Sequence, residues 1–171
     1  MSPVTPTSAP ARSAMVPVPP RASVRDLLRD LLGQPVRVEP GQTLDLSERR
    51  ALLAAYRLDE GGPAAAMISE VPLAAGAGAA IGMMSPGEIE DPSEVTDPES
   101  ELFEFYHEVA NVLAKLLNSP ITPHVVLREL HAVPGEVPGD LARLGLAPSA
   151  RVDYRVRIGE FDSGLLTLLS A

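Results

Sequence analysis

Residues 101–118 read ELFEFYHEVANVLAKLLN, and this stretch decides how the rest of the chain is understood. At about 100° per residue on a helical wheel, Leu102, Tyr106, Val109, Leu113 and Leu116 fall on one stripe. Glu101, Glu104, Glu108, Asn111, Lys115 and Asn118 fall on the opposite one. The segment is therefore an amphipathic helix with an apolar face for a core and a polar face for water. Glu108 and Asn111 are three residues apart, so their side chains are neighbours on the polar face. Asparagine costs some tenths of a kcal/mol against alanine inside a helix. Its position beside a carboxylate marks the pair as a candidate chemical site.

The flanks of this helix set its limits. Asp97 is the expected N-cap, Pro98 the first helical position, and Ser119-Pro120 the stop. Glu99 and Glu101 suit the positive end of the helix dipole. Upstream, Pro86 to Glu104 holds eight acidic residues and no basic one, and its prolines predict a loop.

Working outward, Val152, Tyr154, Val156 and Ile158 alternate with Asp153, Arg155 and Arg157, which predicts a strand buried on one face. Glu160 to Gly164 turns the chain into a return strand over Leu165–Leu169. Val125 to Val133 reads as another strand, followed by a Gly/Pro-punctuated stretch to Ala150. Ala51–Leu58 and Ala64–Val71 predict two strands joined through Glu60, Gly61, Gly62 and Pro63. Pro72 opens a helix that runs to about Met84. Ser23 is the expected N-cap of a first helix ending at Gly33, with Val24, Leu27, Leu28, Leu31 and Leu32 on one face. A short extended piece, Val36–Val38, follows it. These elements predict an α+β fold, a mixed and largely antiparallel sheet with long helices packed on one face.

Composition bounds the rest. A length of 171 residues fits one domain. Residues 1–21 contain six prolines and two arginines as the only charges, which predicts a disordered tail ahead of a folded domain over 22–171. The chain has no cysteine, so disulfides, thiolate metal sites and cysteine nucleophiles are excluded. The net charge of −9 has the wrong sign for nucleic acid or an anionic membrane. The weakly apolar run Pro72–Met84 is too short to span a bilayer, and no secretory signal is apparent, so a cytoplasmic location is expected.

Other motifs compete poorly with the Glu108–Asn111 pair. His107-Glu108-Val-Ala-Asn111 stops one ligand short of the zinc pattern His-Glu-x-x-His, and no metal is expected. His124 and His131 stand alone in sequence. Gly76, Gly78 and Gly82 have the wrong spacing for a dinucleotide loop, and close helix packing is the better account.

Glu104-x3-Glu108-x2-Asn111, followed after 22 intervening residues by Pro134, resembles the signature of the CheC, CheX and FliY chemotaxis phosphatases. That signature is Asp or Ser, three residues, Glu, two residues, Asn, then 22 residues and Pro. The opening segment SVRDLLRDLLG (residues 23–33) with Val36-Arg-Val38 is similar to the family's first helix and strand, and the likeness covers residues 23–171. Glu104 stands where the family has Asp or Ser, and Lys115 where CheX proteins often have Gly. The first helix offers only Ser23-x3-Leu27-x2-Asp30 in the same frame, so one site is expected, as in CheX.

The resemblance implies a CheX-like, largely antiparallel fold and hydrolysis of the aspartyl phosphate of a CheY-like response-regulator receiver domain in bacterial chemotaxis or two-component signalling. Asn111 would orient the attacking water, Glu108 would dock the receiver's lysine, and Glu104 and Lys115 would lie at the partner-binding edge. No cofactor of its own is implied, because the receiver supplies Mg²⁺, and a homodimer is compatible with the family. A docking module without catalysis is the alternative reading.

Overall fold

The computed structural model describes residues 16–171. Helix α1 spans Arg21–Leu32 and buries Val24, Leu28 and Leu32. It starts two residues before the expected cap. Pro20, in extended backbone, is the N-cap, and its carbonyl accepts from the amides of Ser23 and Val24. Gly33 ends the helix in the left-handed conformation (φ 62°), as its position predicts.

Of the expected tail, residues 1–15 lie outside the described residues. Val16–Pro20 are packed on the domain. Val16 is 1% exposed, the Ser170 hydroxyl donates to its carbonyl, and the Tyr154 hydroxyl donates to the Pro19 carbonyl at 3.3 Å. Proline-rich composition hides this, because one buried valine and two side-chain donors are enough to hold five residues down. Among the described residues, packing thus reaches back to Val16, ahead of the expected boundary at residue 22.

Six strands follow the sequence reading closely: β1 Val36–Pro40, β2 Ala51–Leu58, β3 Pro63–Glu70, β4 Val125–Val133, β5 Ala150–Ile158 and β6 Gly164–Ser170. They form one sheet in the order β1-β5-β6-β3-β2-β4, antiparallel at every pairing. Every residue of the central strand β6 is buried, whereas β1 and β4 are edges.

Helix α2 (Val71–Ile81) starts with Pro72 in its first turn and is buried along Leu73–Ala80. Its small residues let neighbours approach closely, as predicted for Gly76, Gly78 and Gly82. A Cβ on Gly78 would sit 2.9 Å from the Leu102 carbonyl oxygen, and one on Gly76 would lie 3.0 Å from Phe161 Cβ. The acidic loop contains two 3₁₀ turns, Pro86–Glu88 and Pro92–Thr96.

Helix α3 spans Glu101–Leu113 and tightens into a 3₁₀ turn over Ala114–Leu116. Its cap is Ser100, whose hydroxyl accepts from the Phe103 amide at 3.1 Å. The expected cap, Asp97, instead accepts from the Glu99 amide in the preceding turn. Both residues are good caps by chemistry, and the tertiary path of the acidic loop selects the later one.

Helices α1, α2 and α3 cover one face of the sheet over a core that includes Leu52, Tyr56, Met67, Val156 and Leu168. The other face has a smaller core built from Leu53, Ile68, Leu165 and Leu169, closed by Leu44 and by Leu141 and Leu144 of α4 (Gly139–Leu146). The expected layering thus holds for the long helices, and the short α4 is an addition. Two glycines in eight residues hide it in sequence, since burial of two leucines against the sheet stabilises it more than its propensity does.

Candidate functional site

The site is built on α3, whose buried face is fixed from below. Tyr56 of β2 donates its hydroxyl to the Ala110 carbonyl at 2.7 Å, and Tyr106 donates to the Ser69 hydroxyl at 2.6 Å. Burial pushes both phenols above their ordinary pKa, so both remain neutral donors at physiological pH. Leu102, Val109, Ala110 and Leu113 complete the buried stripe. The helix is therefore held in rotation as well as position, with one of its tyrosine anchors on the residue before Asn111.

Glu104, Glu108, Asn111 and Lys115 are all exposed on the opposite side. With Tyr106, Val109, Ala110 and Leu113 turned inward, the wheel places these four within about 60° of one another, pointing directly away from the sheet. None of them has an ion-pair partner among the described residues. An exposed carboxylate and an exposed amide one turn apart can contact a partner macromolecule and hold one water, since the amide both donates and accepts.

Two other residues of the pattern have different places. Asn118 is half-buried and structural: its amide nitrogen donates to the Ala114 and Val125 carbonyls, and its oxygen accepts from the Val125 amide. This clamp ties the end of α3 to the start of β4. Pro134 is not brought to the site. Pro134 instead borders an apolar groove with Val133, Val137 and Leu141 on the opposite face.

The histidines occupy three separate elements. His107 is exposed on α3, His124 lies 3.0 Å from Asp59 before β4, and His131 is half-buried within β4. No group of three or more metal-ligating side chains occurs among the described residues. No helix among them is long and apolar enough to cross a membrane.

Sequence reasoning missed two features next to the site. Phe105 and Val112 are half-buried, but neither packs on the core beneath α3, and Met83, which follows the Gly82 that Phe105 touches, is 93% exposed. The signal was present in the spacing: Phe105 precedes Glu108 by three residues and Val112 follows it by four.

A six-stranded antiparallel sheet with α1, α2 and α3 packed on one face defines the class: an α+β fold of the kind seen in FliM middle domains. Solved structures share it at low sequence identity. The FliM of an H. pylori FliG–FliM complex aligns over 88% of this chain and 85% of its own, with TM-score 0.54 and 7% identity. The H. pylori FliM middle domain aligns over 88% and 84%, with TM-score 0.53 and 8% identity. The complex of CheX with CheY, BeF₃ and Mg²⁺ from Borrelia burgdorferi aligns over 84% and 90%, with TM-score 0.48 and 12% identity. No family model matches the sequence, and no curated protein matches it.

Proposed function

We propose that the chain is a chemotaxis-type aspartyl-phosphate phosphatase that acts on a receiver domain. The observation that carries the proposal is the exposure of Glu108 and Asn111 together, one turn apart, on a helix pinned by Tyr56 and Tyr106. The motif resemblance around them names the chemistry.

An acyl phosphate is already reactive, and catalysis of its hydrolysis is mainly a matter of placing water in line with the phosphorus. Asn111 accepts from and donates to that water without titrating near neutral pH. As the water oxygen bonds to phosphorus, the bond from phosphorus to the aspartyl oxygen breaks. The receiver regains its carboxylate and inorganic phosphate leaves. Mg²⁺ belongs to the receiver. Glu108 pairs with the lysine beside the receiver's phosphorylation site and fixes the docked register. Glu104 and Lys115 form the edge of the same contact. Glutamate at the first position keeps the negative charge of the family's aspartate on a longer side chain.

A second reading, docking without catalysis, draws on one finding: the similar structures include a FliM middle domain and a FliG–FliM complex. A dephosphorylation assay separates the two. Receiver domains are phosphorylated with acetyl phosphate and the rate of phosphate loss is followed with and without the protein. Acceleration that disappears in Asn111→Ala supports the phosphatase. Unaltered decay of every receiver that binds leaves the docking module.

A further inference from the structure

Next to the Glu108–Asn111 pair lies an apolar strip that neither core explains. Phe105, Glu108 and Val112 are spaced three and four residues apart, so they form a continuous line along α3 with the carboxylate in the middle. Phe105 and Val112 are only half-buried and belong neither to the cluster beneath α3 nor to the residues packed against it.

Met83 lies just past the end of α2, one residue beyond the backbone that Phe105 touches. It follows Gly82, where an added Cβ would overlap the Phe105 ring and lie 3.0 Å from its Cζ atom, so the ring rests across the end of α2. Met83 occupies the position that closes α2, in the left-handed conformation (φ 61°), and it is 93% exposed. Glycine is the usual residue there, because a side chain in that conformation costs about 1 kcal/mol or more. A large apolar side chain is thus held in water at a strained position, one residue from the Gly82 backbone on which the Phe105 ring rests. Fold stability accounts for neither cost.

We infer that Met83, Phe105 and Val112 are the apolar anchors by which the receiver domain is gripped on either side of its lysine. The inference rests on the receiver reading of Glu108. The partner face it requires has one cation between apolar side chains. Charge complementarity supports this, because Glu101, Glu104 and Glu108 border the strip and Lys115 is the lone cation on the stripe. Apolar contacts around a charge pair exclude water from it, which strengthens the pair and sharpens partner choice.

The experiment measures affinity for CheY-like receiver domains loaded with Mg²⁺ and BeF₃⁻ by titration calorimetry, with phosphate release followed in parallel. Phe105→Ala should weaken binding about tenfold. Met83→Gly should weaken it about threefold while its Tm is unchanged or raised, because glycine relieves the left-handed backbone. Leu146→Ser, at an 88% exposed leucine of α4 on the opposite face, should bind like wild type. Wild-type affinity in both Phe105→Ala and Met83→Gly overturns the anchor assignment and leaves the phosphatase reading standing. Loss of affinity in those variants, with no acceleration of phosphate loss by wild type, upholds the anchors and overturns the phosphatase reading. Binding to no receiver overturns both.

Discussion

Helices α1 and α3 occupy matching places in the fold. Each leads into an edge strand, β1 or β4, and each lies on the same face of the sheet. Their outer faces differ in kind. On α1, Arg25 pairs with Asp26 at 2.9 Å, and Arg29 pairs with Asp26 and Asp30 at 3.2 and 3.0 Å. The Arg25 guanidinium holds the Asp26 carboxyl below its usual range. On α3, Glu104, Glu108 and Lys115 pair with nothing among the described residues, and an asparagine stands where charge would be cheaper. A surface that satisfies its own charges offers little to a partner. One that leaves them open, on a rigid support, keeps its interaction energy for docking.

The largest break in this comparison should come from Asn111→Ala. Loss of one positioned polar group in the transition state lowers rate by on the order of 10²-fold, so kcat for receiver dephosphorylation should fall by about that much with KM little changed. Next, Gly78→Ala would force α2 and α3 apart at the Leu102 carbonyl. Such overpacking costs about 1–3 kcal/mol, readable by urea denaturation, and the displaced helix should lose activity as well. Tyr106→Phe removes the buried hydrogen bond to Ser69 and should cost about 1 kcal/mol in the same experiment. Smallest of all, Arg29→Ala on α1 should leave both the denaturation midpoint and the phosphatase rate unmoved. If Arg29→Ala impaired dephosphorylation as much as Asn111→Ala, the contrast between the two helices would be wrong.

Much of this was legible in the chain itself. Alternation in β5 and the 3.6-residue stripe of α3 mark which faces are buried, and the strands fall within a residue or two of where their patterns place them. The starts of α1 and α3 show where local signals stop. Ser23 and Asp97 are good caps, but Pro20 and Ser100 serve, because the path of the preceding chain is set by distant partners such as Tyr154 and Ser170. Helix α4 was hidden for the same reason: two of its eight residues are glycines, and it stands on Leu141 and Leu144 packed against the sheet. In the site, the Glu108–Asn111 pair could be found from spacing alone. The spacing of Phe105 and Val112 was legible too, but that Phe105 rests on the end of α2 at Gly82 was not.

The sequence alone determined the pair and the stripe it lies on, since helical periodicity converts spacing directly into a shared face. Only the tertiary structure decided that this face is open, that Tyr56 and Tyr106 lock its direction, and that Phe105 beside it rests on the end of α2 at Gly82. Those are contacts between residues far apart in the chain. No local propensity encodes them, because each depends on how the helices pack across the sheet.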